Sequence, residues 1–293
     1  MKFNNLKYEI KDRILTITLN RPELMNTYNN EMAAEINTAL DAANHDDEVR
    51  VVIFTGNPDT KKPAFCAGFD LAAGDPFDFG DTPMETVRDT GGTNGISLFN
   101  MRKPVIAAIN GAAVGIGATI TLPMDIRILS EDAKMGFVFV RRGFFNEACS
   151  SWYLPKIVGL GKSMEWVLSG RLIKADEALA TGLVNEVVPG DQVYTRAVEI
   201  AEMIRDNCAP VSVAVCRQML LQCQTAQGAH PMTAHKLESM NYYYLGMAAD
   251  SLEGAAAFME KRPNNFTMSP FKDMPEIYPW FQEMDFPKNI QRP

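Results

Sequence analysis

"KPVIAAINGAAVGIGATITLPMDIRI", residues 103–128, is apolar over most of its length and is broken by Asn110, Gly111, Gly115 and Gly117. The part from Pro104 to Met124 is long enough on paper to cross a bilayer, but an asparagine, several glycines and a proline at each end are breakers a spanning helix avoids. A strand, a glycine-rich turn and a helix account for it better, followed by a second strand in "DIRILS" (125–130). Working toward the N-terminus, "VVIFTG" (51–56) is β-branched, ends in glycine and reads as a strand buried on both faces. Earlier still, Leu15, Ile17 and Leu19 alternate with Thr16 and Thr18, one strand face against the other. Between these strands Ala33, Ile36, Leu40 and Ala43 recur at three- and four-residue steps, which predicts a helix. Buried strands alternating with helices give an α/β layered core.

Toward the C-terminus, "KMGFVF" (134–139) reads as another strand, with helices expected after Ile116 and again after Glu147. The glycine- and acid-rich segment Gly74–Gly95 has weak periodicity and reads as a loop with a short helix. From Asp191 the pattern is helical: Val193, Ala197, Ile200 and Ile204 form one stripe, and "VSVAVCRQMLLQC" (211–223) another. Further helical runs cover 233–247 and 251–261. The chain thus divides into a core, 1–200, and a helical region with a tail, 201–293. The apolar faces of that region need a surface to bury against, in their own core or on another subunit. The tail "SPFKDMPEIYPWFQEMDFPKN" (269–289) reads as an ordered arm rather than a helix.

At 293 residues and 46% hydrophobic, the chain can bury a sizeable core. Its net charge of −8 and pI near 5.0 argue against a general phosphate-backbone binder, so no nucleic-acid partner is expected. A local basic pocket for one anionic ligand is compatible with that balance. The N-terminal twenty residues lack an uninterrupted apolar run and a small-residue cleavage site, so no membrane partner and a cytoplasmic location are the expectation. Cys66, Cys149, Cys208, Cys216 and Cys223 form an odd set without a C-x-x-C pair, which suggests neither a disulfide framework nor a metal site. Cys216 and Cys223, seven apart on one helical face, read as buried thiols.

In "NGAAVGIGATITLPMD" (110–125) a dinucleotide fingerprint fails because Ile120 stands where its third glycine belongs, and there is no Walker lysine. A tight turn remains, placing backbone N–H groups, that of Ile116 among them, at a helix start; simple glycine packing is the alternative. "KPAFCAGFDL" (62–71) likewise follows a strand and sets Gly68 before Phe69 and Asp70. Two such turns converging on one ligand oxygen would make an oxyanion hole, though spacing leaves open whether they meet.

Four ordered blocks, "LNRPELMN", "FCAGFDL", "KPVIAAINGAAVGIGATITLPMDIRI" and "SGRLIKADEALATGLVNEVV", resemble the enoyl-CoA hydratase/isomerase (crotonase) superfamily to about residue 265. The resemblance implies a spiral core of strand-strand-helix units with a C-terminal helical trimerisation region, in a homotrimer or a dimer of trimers. It implies an acyl-CoA thioester as substrate and no other cofactor. By motif position the peptide N–H groups of Phe69 and Ile116 would hold the thioester oxygen, within turns that also contain Cys66, Ala67, Gly68, Asp70, Leu71 and Gly115. Phe258 and Lys261, in "EGAAAFMEKRPNNF" (253–266), would contact the adenine and phosphate region of CoA, with Arg21, Pro22 and Met25 along the nucleotide groove.

The sequence departs from the two-acid hydratase pattern, because Thr119 and Phe139 stand where that pattern has its glutamates. Glu147, in "FFNEACSSW", instead resembles the acid-base glutamate of peroxisomal-type 3,2-enoyl-CoA isomerases. One carboxylate suits a double-bond shift, since it can remove a proton from one carbon and return it to another. Phe139, Phe144 and Phe145 would exclude water and raise its pKa. The bland alternative for Glu147 is a first-turn acid interacting with the helix dipole. An enoyl-CoA isomerase is therefore the first expectation. Behind it stand a hydratase pairing Glu147 with another group such as Asp70, a C–C bond hydrolase of diketones, and a silent acyl-CoA-binding protein. His45, His230 and His235 match no catalytic position of the family, which weakens the hydrolase and leaves Ser150 and Ser151 without a base.

Overall fold

Strands β1 (Leu6–Lys11) and β2 (Ile14–Leu19) form an antiparallel hairpin whose turn puts Asp12 and Arg13 at positive φ, as a two-residue turn of this twist requires. The structure is a computed structural model and describes residues 1–72, 83 and 86–282. After the hairpin come α1 (Asn30–His45), β3 (Val51–Gly56), β4 (Ala64–Cys66), α2 (Thr90–Phe99), β5 (Val105–Ile109), β6 (Ala112–Val114) and α3 (Ile116–Thr119). Then follow β7 (Ile126–Ser130), β8 (Lys134–Gly136), α4 (Ser150–Val158), α5 (Leu160–Ser169), β9 (Leu172–Lys174), α6 (Ala175–Ala180) and β10 (Glu186–Val188). Four helices close the chain: α7 (Val193–Asn207), α8 (Pro210–Gln222), α9 (Pro231–Gly246) and α10 (Ala249–Glu260).

The strands belong to two sheets, ordered β1-β2-β3-β5-β7-β10 and β4-β6-β8-β9. From β3 onward the chain visits the large sheet, then the small one, then a helix, three times in all. That is the expected strand-strand-helix spiral, and successive turns pair in parallel within each sheet.

The large sheet is covered on both faces, which explains its continuous apolar strands. Leu15, Ile17, Leu19, Val52 and Phe54 share one cluster with Met32, Ile36 and Leu40 of α1. Ile14, Val51, Ile53, Ile106 and Ile128 share the other with Val193, Ala197 and Ile200 of α7. Thr16, on the α7 side, hydrogen-bonds the Tyr194 hydroxyl at 2.9 Å. The division expected at residue 200 falls inside α7.

Several expectations need correction. The strand anticipated over 134–139 stops at Gly136, because Val138 leaves the extended region and Phe139–Arg142 coils into a 3₁₀ turn ended by Gly143 at φ +75°. Phe137 stacks on the buried Trp166 instead of continuing the ladder. Cys216 is exposed and Cys223 only partly buried, since α8 turns them away from the core. Half of the Gly74–Gly95 segment, residues 74–82, 84 and 85, lies outside the described residues; its helix begins at Thr90. Tail residues 269–282 form the expected arm without a helix: Ser269 and Lys272 bond the Asp47 carboxylate, and Arg102 bonds the Pro270 carbonyl at 3.2 Å.

Helix α8 is tied to α2 through Arg217. Its guanidinium pairs with Asp125 at 2.8 Å and donates to the carbonyls of Leu98, Phe99 and Met101. Replacing Arg217 by Leu would break this ion pair and leave Asp125 with only the Val105 amide, so unfolding in urea should show a loss of about 3 kcal/mol.

Candidate active site

Strands β4 and β6 pair in parallel, so the chain leaves both at the same end of the small sheet. Each exit turn needs a glycine: Gly68 has φ +112° and Gly115 φ +57°. A side chain on Gly115 would come within 3.9 Å of the Gly68 Cα and 3.8 Å of the Phe139 ring, so the two turns lie side by side. Packing is tighter one residue on. A methyl on Gly117 would sit 2.2 Å from the Cys66 carbonyl oxygen.

The question left open by spacing is thereby answered, because the turns meet. The Tyr28 amide donates to the Gly68 carbonyl and the Asp70 amide to the Tyr28 carbonyl, so the Phe69 N–H points away from that bridge. Among the described residues neither the Phe69 nor the Ile116 amide makes a hydrogen bond. Helix α3 has only four residues, so a long aligned dipole does not contribute; the N–H groups themselves do.

Glu147 faces these turns. Its Oε1 accepts from Thr119 Oγ1 at 2.5 Å, and Thr119 is fully buried one turn beyond Ile116. Its Oε2 lies where a methyl on Gly91 of α2 would come within 2.2 Å of it and 2.7 Å of Ile116 Cδ1. Burial pushes the Glu147 carboxyl up to about 8; the Asp89 carboxylate nearby adds to the rise, and the Thr119 bond opposes it. The first-turn alternative fails. Helix α4 starts at Ser150, and among the described residues no backbone N–H donates to the Glu147 carboxylate.

On the α1 side the surroundings are buried and hydrogen-bonded, whereas Asn146 Oδ1 and Ser150 Oγ flanking Glu147 are buried without a partner among the described residues. The Tyr28 hydroxyl donates to Asn94 Oδ1 at 2.6 Å, and Asn94 Nδ2 bonds the Ala33 carbonyl and Asn37. Burial, with the Glu147 charge nearby, raises the Tyr28 hydroxyl beyond any working range. Burial also pushes the Cys66 thiol up to about 11, which keeps it neutral.

Other expected residues divide into two groups. Arg21 donates to Asp70 at 2.7 Å and to the Thr27 carbonyl, so its guanidinium braces the turn. Asp70, the acid expected as a second group of a hydratase, also accepts from the Ala72 amide, and its carboxylate is engaged in an ion pair. The Ala67 amide bonds the Met25 carbonyl, which sets the Pro22–Met25 turn against the Gly68 turn, with Leu71 exposed beside it. Phe139 lies against Gly115, whereas Phe145, expected with it to exclude water, is 77% exposed and shields nothing.

Phe258, 82% exposed, and Lys261 lie on and just after α10, which packs on α9 and Phe266 rather than on the two turns. His45 contacts Phe271 while His230 and His235 lie at and in α9. Sequence reasoning missed Asp89, Gly91 and the role of Thr119 as partner of Glu147. The run Asp89-Thr90-Gly91-Gly92 does carry a helix-start signal, but nothing in it points to residue 147.

Comparison with known proteins agrees with this architecture. Residues 9–269 match the family model for enoyl-CoA hydratase/isomerase. Among curated relatives, the enoyl-CoA hydratase ACTT3 of Alternaria alternata is 39% identical, over 87% of this chain and 83% of its own length. A short-chain-enoyl-CoA hydratase of Clostridium acetobutylicum is 33% identical, over 89% and 97%. A solved structure of a probable enoyl-CoA hydratase/isomerase from Mycobacterium abscessus superposes with a TM-score of 0.83 at 32% identity, covering 90% of this chain and 99% of that one. Fold and site thus define an acyl-CoA enzyme. The chain belongs to the enoyl-CoA hydratase/isomerase family.

A carboxyl held near 8 in the fold and near 4.5 when unfolded binds more protons in the native state between those values, so it costs stability progressively as pH rises through that window. The Glu147→Gln variant should therefore melt a few degrees above the parent at pH 8.5 and show little difference at pH 4.5, by calorimetry.

Proposed function

We propose that this protein shifts the double bond of an enoyl-CoA thioester, with Phe69 and Ile116 as oxyanion donors and Glu147 as the one proton carrier. The observation that supports this reading best is a pair of amides without internal partners beside one carboxyl of raised pKa, while Asp70 is engaged by Arg21.

In this mechanism the thioester oxygen accepts from both amides, each worth roughly 2.7–4 kcal/mol as negative charge develops there. The Glu147 carboxylate takes a proton from C2 of a 3-enoyl chain, the electrons spread into a dienolate, and the neutral acid returns the proton to C4. Substrate and product are isomers, so the reaction calls for no electron carrier. Thr119 holds the carboxyl at one oxygen and leaves the other for the substrate. Phe258 and Lys261 would meet the CoA nucleotide, in this subunit or a neighbour of a trimer or dimer of trimers.

A second reading, hydration of a 2-enoyl-CoA, is favoured by the names of the relatives, which are hydratases more often than isomerases. It asks Glu147 to activate water and to supply the proton at C2. Separate incubations with 3-enoyl-CoA and 2-enoyl-CoA discriminate between the two. Under the first reading the 3-enoyl thioester is converted and Glu147→Gln slows it by about 10²–10⁴-fold. Rapid water addition to the 2-enoyl thioester with the 3-enoyl thioester untouched would instead establish the hydratase. Because the neutral acid cannot abstract a proton, kcat/KM for the 3-enoyl substrate should rise with pH around a midpoint near 8.

A further inference from the structure

We infer that Asp89 is a positioning residue for Glu147: its carboxylate spans from the first turn of α2 to the catalytic loop and fixes that loop's backbone. This rests on the reading of Glu147 as the proton carrier. Asp89 is the N-cap of α2, and its Oδ1 accepts from the Gly91 amide at 3.0 Å, as a capping carboxylate does. Its other oxygen leaves the helix and accepts from the Ala148 amide at 2.7 Å, one residue past Glu147.

The loop needs such a restraint. Ala148 and Cys149 have φ +54° and +56°, left-handed values that non-glycine residues hold only when their surroundings over-determine them. The surroundings here are the glycine face of α2. A methyl on Gly91 would meet Glu147 Oε2 at 2.2 Å and Ala148 Cβ at 3.1 Å, and one on Gly95 would meet the Ala148 carbonyl at 3.2 Å. On Gly92 it would press on Asp89 Oδ2 at 2.9 Å. Three glycines in a ten-residue helix weaken it, and their placement makes sense as a seat for the loop.

Helix α2 is itself held firmly. Asn94 bonds the Ala33 carbonyl, and Arg217 bonds the carbonyls of Leu98 and Phe99. A restraint anchored on such a helix can hold a carboxyl to within a fraction of an ångström.

Asp89 also has an electrostatic reach. The groups around Glu147 are Thr119 from α3, Tyr28 ahead of α1, Cys66 of β4, Cys149 on its own loop, and Asp89. Burial keeps the tyrosine and both thiols neutral, so among the described residues the Asp89 carboxylate is the charge that opposes ionisation of Glu147.

The test uses Asp89→Ser and Asp89→Asn, assayed with whichever enoyl-CoA the parent turns over. Serine can still cap α2 but is too short to bridge to Ala148 and carries no charge; asparagine keeps the shape without the charge. Both should lower kcat, by about 10²-fold for serine, with KM nearly unchanged and the pH midpoint of kcat moved downward. Wild-type kcat and midpoint in the folded variants would overturn the inference. So would a loss of kcat that merely tracks a fall in Tm with the midpoint fixed. Should serine prevent folding, the asparagine variant decides. Glu147→Gln run in parallel separates the two claims: full activity there removes both, whereas an inactive Glu147→Gln beside unaltered Asp89 variants removes only this one.

Discussion

The parallel pairing of Ala64–Cys66 with Ala112–Val114 places two chain exits side by side at one end of the small sheet. Had these strands run antiparallel, the Gly68 and Gly115 turns would lie at opposite ends and their amides could not face one ligand atom. Parallel pairing in turn requires a crossover, and the spiral supplies it by sending the chain through α2 and β5 before β6. The large sheet, sealed by α1 on one side and α7 on the other, makes that spiral rigid enough to fix a pair of peptide groups.

Around this pair the site keeps its carboxyl under tension. Glu147 is drawn into a pocket of Thr119, Gly91 and Ile116, where its charged form is poorly solvated and one hydroxyl compensates only in part. An acid near 8 is mostly neutral at physiological pH. The protein gives up stability for this, as active sites often do. Thr119, at the position after the glycine turn, holds the Glu147 carboxyl through its hydroxyl.

Much of the fold was legible in the sequence, because its signals are local. The alternation of Leu15, Ile17 and Leu19, the buried run at 51–56 and the stripes of Val193, Ala197 and Ile200 each report burial through periodicity, and each element forms. Of the three-residue strands of the small sheet, Lys134–Gly136 is legible as part of a longer apolar run, whereas Ala112–Val114 is hidden within a glycine-rich turn, since three residues carry no periodicity and their stability comes from neighbours. Glu147, Phe69 and Ile116 were reached through motif position. Their meeting was not, nor was the ion pair that ties Asp70 to Arg21, because both depend on contacts across 25 or more residues. Asp89 stayed hidden for the same reason: a helix cap looks alike in sequence whether its second oxygen faces water or Ala148.

The most direct measurement is a crystal structure with a saturated acyl-CoA, which keeps the thioester oxygen but has no double bond to shift. The thioester oxygen should lie within hydrogen-bond distance of both the Phe69 and Ile116 amides, and the free Glu147 oxygen about 3–3.5 Å from C2 and C4 of the acyl chain. An acyl chain that bypasses the two amides, or a Glu147 carboxyl turned away from both carbons, would contradict the proposed mechanism.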